Sequence, residues 1–199
     1  MSSPPRPEGL RERKKARTRR TIQEHALRLF AEQGYDETTV EQIAEASEIS
    51  PSTFFRYFPA KEDVVAQDDY DPLLMAMLTA QPEDLAPIPA LRATVRAAFD
   101  QIPGEEEQQI LARIRLQLSH PALRARVVDN MISTIDLLAA GIAGRLRRDA
   151  ADPLSRTAAG AVVGAMLPAL FTWAGSDGAR RLADVVDEAL ALLEAGLHP

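Results

Sequence analysis

The sequence predicts an all-α chain, with an N-terminal three-helix unit built around a helix-turn-helix and a six-helix unit after it. Three observations carry this prediction. Apolar residues recur at spacings of three and four, and no stretch alternates in the strand pattern. Residues 38–61 (TTVEQIAEASEISPSTFFRYFPAK) hold the start and stop signals of two short helices joined by a tight turn. Prolines and glycines then cut the remainder of the 199 residues into segments of helical length.

Each element follows in order. Ile22, Ala26, Leu29 and Phe30 line one face of the first helix, and Gly34 ends it as a C′ residue. Thr39 caps the second helix ahead of Val40 and Ile43, with Gln42 at N3 to complete a capping box. That helix reaches about Ala46. Ser47-Glu48-Ile49 turns the chain, with Ile49 as the apolar plug. Ser50 caps the third helix and Pro51 takes N1, where a missing N–H costs nothing. Ser52, Thr53, Phe54, Phe55, Arg56, Tyr57 and Phe58 follow before Pro59 stops it. A helix opening on small hydroxyls and closing on aromatic and basic residues suits a DNA groove.

A fourth helix is expected from near Ala60 through Val64, Val65, Leu73, Leu74, Met77 and Leu78, bent or restarted at Pro72. Further helices follow near 90–102, from Glu105, over about 121–149, from Asp152-Pro153, and after Ser176-Asp177-Gly178. The domains read as a disordered arm over 1–10, a helix-turn-helix DNA-binding domain over 11–59, and a ligand-binding and dimerisation domain over 60–199.

Net charge is −6, which alone argues against a nucleic-acid partner. Its distribution reverses that. Residues 6–20 carry eight Arg and Lys against two Glu, whereas 66–199 carry 12 Arg and no Lys against 18 acids. A basic pole on an acidic body is an electrostatic footprint, and Arg17, Arg19 and Arg20 are its candidate phosphate contacts.

The absence of cysteine excludes disulfides, thiolate nucleophiles and thiolate-held zinc. His25, His120 and His198 are scattered and offer no acid–base pairing. Asp68, Asp69 and Asp71 read as a solvated helix edge rather than a metal cluster. No nucleophile elbow, phosphate loop or paired-carboxylate pattern occurs, so neither catalysis, a metal nor a cofactor is expected. No apolar run is read as approaching the roughly 20 residues that span a bilayer, and no signal-type h-region follows the basic start, so the expected location is cytoplasmic.

Residues 157–174 (TAAGAVVGAMLPALFTWA) carry no charge, and a helix apolar all round must be covered all round. A second copy of the chain is the expected cover. Val162 and Ala165 on this helix, with Leu182, Val186, Ala189, Leu190 and Leu193 on the last, would form a four-helix interface. Gly160, Ala161, Gly164 and Ala165 would permit close approach. The other reading is a helix buried within its own domain. Met77, Phe99, Leu111, Ile114, Met131, Ile135, Met166, Leu170 and Trp173 are candidates to line an effector cavity, and equally ordinary core. Pro168 is expected to kink its helix and open backbone carbonyls near Met166, Phe171 and Trp173.

The stretch from Arg19 to Val65 resembles the TetR family of bacterial transcriptional regulators. The resemblance runs through Ile22, Ala26 and Leu29-Phe30-Ala31-Glu32-Gln33-Gly34-Tyr35, then Thr38-Thr39-Val40 and Ile43-Ala44. Thr53-Phe54-Phe55-Arg56-Tyr57-Phe58 and Lys61-Glu62 complete it. It implies a homodimer on a palindromic operator in double-stranded DNA, most often a repressor released by a small molecule. Six C-terminal helices would then hold the effector, the last two making the dimer. By the same resemblance Thr39, Gln42, Ser50, Pro51, Ser52, Thr53, Phe55, Arg56, Tyr57 and Lys61 belong to the DNA-binding surface. Thr39 and Lys61 would meet phosphates, and Arg56 a base edge. Phe55 stands where the family often has tyrosine, so one phosphate-bonding hydroxyl is missing. Phe54, Phe58 and Tyr35 read as packing residues.

Phe55 to Pro59 and Asp68 to Pro72 resemble an actinobacterial branch that includes mycofactocin-type regulators. The resemblance implies acyl-CoA-like effectors for some members. Arg92, Arg96, Arg113 and Arg115 are candidates for a CoA phosphate, or else solvated helix faces. An effector-independent activator or architectural DNA-binding protein, and a small-molecule enzyme, are the competing functions.

Overall fold

A computed structural model describes residues 10–66, 71–149 and 151–198. The described residues form helices and no strands, in two compact units, Met1–Gln67 and Asp68–Pro199. The first unit holds α1 (Leu10–Gln33), α2 (Val40–Ala46), α3 (Pro51–Tyr57) and α4 (Asp63–Ala66). The second holds α5 (Asp71–Ala80), α6 (Pro87–Asp100), α7 (Gly104–Ser119), α8 (Pro121–Leu146), α9 (Pro153–Gly175) and α10 (Leu182–Glu194).

The first compact unit runs eight residues past the expected boundary at residue 59. Val64 and Val65 are fully buried in the first unit, and the Gln23 side-chain amide donates to the Val64 carbonyl at 3.2 Å. Of the single expected fourth helix, α4 and α5 are the described parts, on either side of residues 67–70. Asp68 and Asp69 lie outside the described residues, as do residues 1–9, on which most of the expected N-terminal arm falls. The basic stretch from residue 11 is helical already, since α1 starts at Leu10.

Helix ends follow the local chemistry. Gly34 closes α1 at φ +92, and its N–H donates to the Phe30 carbonyl. α6 starts at Pro87, three residues ahead of expectation, because proline in a first turn forfeits only a donor that has no helical acceptor. Arg147 ends α8 in the left-handed region at φ 53. Asp152 caps α9 by accepting the Ser155 N–H at 3.0 Å.

In the second unit α9 packs against α6, α7, α8 and α10. One hydrophobic core joins Leu91 and Val95 of α6, Ile110, Leu111 and Ile114 of α7, Leu138 and Ile142 of α8, Trp173 of α9 and Leu190 of α10. α5 meets α8 at Gly141, where a Cβ would lie 2.8 Å from both Leu78 Cδ2 and Met75 Cε, so a larger residue would require the flexible ends of these two side chains to shift. Arg145 donates to the Leu78 and Gln81 carbonyls and so serves the orphan C-terminal end of α5.

By length and composition α8 and α9 would both reach across a membrane, contrary to the expectation that no run came near this. Arg124, Arg126, Asp129 and Asp136 interrupt α8. The buried residues of α9, among them Ala158, Ala159, Val162, Val163 and Trp173, gather on the side that meets the core. Its apolar character therefore serves, at least in part, packing inside this unit.

Charge joins α6 to α10. Arg92 forks onto both Asp187 carboxylate oxygens at 2.8 and 3.0 Å and reaches Glu194 at 2.7 Å. Arg96 bonds the same Asp187 at 3.0 Å and Asp100 at 3.2 Å. Arg181 returns to Asp100 from the foot of α10. The hydrogen bonds from Arg92 hold the Asp187 carboxyl below its ordinary value of 3.8, against an opposing push from burial. A depressed carboxylate pKa stabilises the fold above the unfolded value and ceases to do so as pH falls through the folded value. Asp187→Asn is therefore expected to cost about 1–2 kcal/mol at pH 7 in urea denaturation, with the gap from wild type shrinking steadily below about pH 4. A gap that stays constant into acid would show that the ion pairs add nothing.

Candidate nucleic-acid interface

α3 is seven residues long, too short to persist alone, so its geometry is imposed by its ends and by the face it buries. Phe54 and Phe58 are fully buried, with ring centroids 5.9 Å apart. That leaves Pro51, Ser52, Phe55 and Arg56 exposed, and Thr53 and Tyr57 half-buried. Ser50 Oγ accepts the Thr53 N–H at 3.2 Å and shares hydrogen bonds with the Ser52 and Thr53 hydroxyls at 2.9 and 3.0 Å. The start of α3 thus presents three linked hydroxyls. At its other end the Arg56 guanidinium lies 5.6 Å from the Tyr57 ring centroid.

α2 holds α3 in place through a tight turn. The capping box is present on both sides. Thr39 Oγ1 accepts the Gln42 N–H at 3.2 Å, and Gln42 Oε1 accepts the Thr39 N–H at 2.9 Å. After α2, the Glu48 N–H donates to the Glu45 carbonyl and the Ile49 N–H to the Ala44 carbonyl, with Glu48 left-handed at φ 55. This is a Schellman closure with glutamate where glycine is usual. Ile49 is only half-buried, a partial plug.

Two expected phosphate contacts are occupied inside the unit. Lys61 Nζ donates to the Tyr35 and Thr38 carbonyls at 2.8 and 3.0 Å and stands 4.1 Å from the Tyr35 ring centroid. It ties down the turn between α1 and α2, whose carbonyls have no helical donors. Arg19 Nη1 donates to the Tyr57 carbonyl at 3.3 Å, and its guanidinium lies 4.4 Å from the Phe58 ring centroid. Arg17 and Arg20 are exposed, as are Lys14 and Lys15.

Sequence reasoning missed two supporting residues. Gln33 Nε2 donates to Gln42 Oε1 at 2.8 Å and to the Thr38 hydroxyl at 3.1 Å, joining the end of α1 to the capping box. Glu62 accepts the Tyr35 hydroxyl at 3.1 Å, and burial, with this carboxylate close by, pushes the Tyr35 phenol above its usual range. Both are polar residues one helix away from their partners, which no local pattern reveals.

In the second unit Leu111, Ile114 and Trp173 are buried core, while Phe99, Met131, Ile135, Met166 and Leu170 are half-buried against it. Met77 is half-buried on α5. The Trp173 indole N–H donates to the Arg180 carbonyl at 2.8 Å. Pro168 and Gly164, the residue whose carbonyl it deprives of a donor, are both exposed, so the freed backbone faces away from Trp173 rather than into the core. Among the expected interface residues, Val162, Leu182, Val186 and Leu190 are buried within their own chain. Ala165, Ala189 and Leu193 are half-buried. The expected set on α10 thus mixes buried residues with half-buried ones, and the half-exposed Leu192 was not among it. Arg92, Arg96 and Arg115 are engaged as well, the last on the Ala174 carbonyl and Asp177.

Residues 22–67 match the profile described as bacterial regulatory proteins of the tetR family, and residues 85–198 match the MftR C-terminal domain. The second match alone spans more than half of the chain. The chain belongs to the TetR family. It is a DNA-binding transcriptional regulator with the MftR type of C-terminal domain.

The chain is 39% identical over 130 residues to the regulator TcmR of Streptomyces glaucescens, a match spanning 62% of this chain and 58% of that one. It is 27% identical over 188 residues, 93% of each chain, to the putative mycofactocin biosynthesis regulator MftR of Mycobacterium tuberculosis. Among solved structures it resembles the TetR-family repressor FadR of Thermus thermophilus in complex with lauroyl-CoA. That likeness has a TM-score of 0.56 and 28% identity, and covers 91% of this chain and 95% of FadR.

For this TetR-family chain, Lys61→Met is expected to lower stability by about 1–3 kcal/mol, because two carbonyls lose a charged donor. The salt slope of its DNA binding should change by less than the roughly 0.9 expected for one lost phosphate contact. A full drop in slope at unchanged stability would return Lys61 to the DNA backbone.

Proposed function

We propose that the chain is a cytoplasmic homodimeric repressor that leaves a palindromic operator when a small apolar or amphipathic effector binds its second unit. The observation that carries this reading is the division of α3. Phe54 and Phe58 anchor it, while Ser52, Phe55 and Arg56 stand exposed along it. Such a helix offers hydroxyls to phosphates, an aromatic face to sugar or a thymine methyl, and a guanidinium to guanine. Arg17, Arg20, Thr39 and Ser50 supply further donors at its flanks.

Dimerisation rests on surface left uncovered by the chain's own core. On α9 the uncharged residues Thr157, Gly164, Pro168 and Thr172 are exposed, with Gly160 and Ala161 half-buried between them. On α10 the exposed Leu192, beside the half-buried Ala189, continues this apolar surface. Small residues along the first allow helices to approach closely, and two half-sites require two recognition helices. Leu192→Asp should therefore give a folded monomer by light scattering and circular dichroism. A persistent dimer would move the interface elsewhere.

The effector reading rests on Phe99, Met131, Ile135, Met166 and Leu170, apolar side chains half-buried against the core. The lauroyl-CoA bound by the FadR relative supports an acyl-CoA-like ligand. With Arg92, Arg96 and Arg115 engaged elsewhere, Arg113 on α7 is the candidate for its anionic end. Release requires the effector to prefer the DNA-incompetent state, a coupling of about 1–3 kcal/mol.

Selection of DNA fragments by the purified protein near physiological salt, followed by footprinting, tests the reading. A palindrome with half-sites about one helical turn apart is expected, released on adding lauroyl-CoA. Arg56→Ala should relax preference at one base pair and cost about 1–3 kcal/mol. No enrichment over random DNA by wild type would overturn sequence-specific recognition.

A further inference from the structure

Four of the basic residues of α1 whose side chains are described, Lys14, Lys15, Arg17 and Arg20, are exposed, but Arg19 is not. It continues the inward stripe of Ile22 and Ala26 at the helical spacings of three and seven. There it meets the C-terminal end of α3. Its guanidinium bonds the Tyr57 carbonyl at 3.3 Å and stacks over the buried Phe58 ring. The Tyr57 carbonyl is one of the orphan acceptors of the last turn and sits at the negative end of the helix dipole, so a cation is favoured there. Phe58 is the C-cap of α3, extended at φ −135, which makes this contact the point where α3 stops. The residue before the bonded carbonyl's own is Arg56, whose guanidinium rests on the Tyr57 ring.

We propose that Arg19 is a positioning residue for DNA recognition: it fixes the last turn of α3 and thereby the place from which Arg56 reaches a base edge, without touching DNA itself. The proposal rests on the reading of α3 as the base-reading helix. Its physical requirement is a flat cation that bonds and stacks at once. Lysine keeps the charge but offers a compact ammonium that cannot reproduce the stacked fork.

Arg19→Lys is therefore the informative variant, compared with wild type on two probes: the duplex that wild type selects from a randomised pool, and a scrambled duplex of equal length. Affinity for the selected duplex should fall about ten-fold or more, with preference relaxing at the base pair read by Arg56. Affinity for the scrambled duplex and the salt slope should stay as in wild type. Arg19→Lys combined with Arg56→Ala should lose little more than Arg56→Ala alone. Three results would overturn the proposal. One is full affinity and specificity in the lysine variant. Another is a salt slope lowered by about 0.9 in Arg19→Gln with both duplexes weakened equally, the mark of a phosphate contact. The third is a loss of stability in Arg19→Lys with the base preference of its folded fraction intact, the mark of a purely structural role. Failure of wild type to select any duplex would instead sink the reading of α3.

Discussion

A helix of seven residues has almost no stability of its own in water, and the first unit is organised around that constraint. What fixes α3 is its two ends and the face it buries. Ser50 supplies acceptors at one end, the left-handed Glu48 sets its entry from α2, Phe54 and Phe58 anchor one face, and Arg19 serves the last turn. The residues left over form the exposed surface. A reading surface is thus obtained by subtraction, from what the core does not consume. A longer helix could tolerate the loss of one anchor; α3 has few to spare.

Much of this was legible because helix ends have local chemistry. Thr39 with Gln42, Ser50 with Pro51, Gly34, and Asp152 with Pro153 announce themselves within four residues. Roles that depend on a partner far along the chain were not. A lysine at 61 looks alike whether it meets a phosphate or the Tyr35 and Thr38 carbonyls, and Arg19 sits among exposed arginines of the same type. Position on the inward stripe of α1 was the available signal for Arg19, and charge masked it. In α10 the period of Leu182, Val186 and Leu190 correctly identified a face that must be covered. Periodicity has no means of saying whether the cover is the same chain or another. Val64 and Val65 are a similar case, reading as the start of a new helix while α4 packs back on α1.

The second unit is held by a different balance. Its core is apolar, yet α6 and α10 are joined along their solvent side by Arg92, Arg96, Arg181 and four carboxylates. Asp187 is shared between two arginines, so neither can leave without exposing the other's partner to competition from water. Each partly exposed pair contributes modestly, and the three bonds that converge on Asp187 concentrate the network's contribution at that one residue.

The foot of α10 has no acceptor of its own. Arg181 precedes it without a capping side chain, and the Leu182 N–H is instead served by the Glu107 carboxylate of α7 at 3.1 Å. The cap of the last helix is therefore encoded 75 positions upstream. A chimera that exchanged the C-terminal segment alone with a relative would part the helix from its cap, whereas one that moved the two together would keep it. The modular unit for recombination is the pair, although nothing in the linear order of the chain suggests that they travel as one.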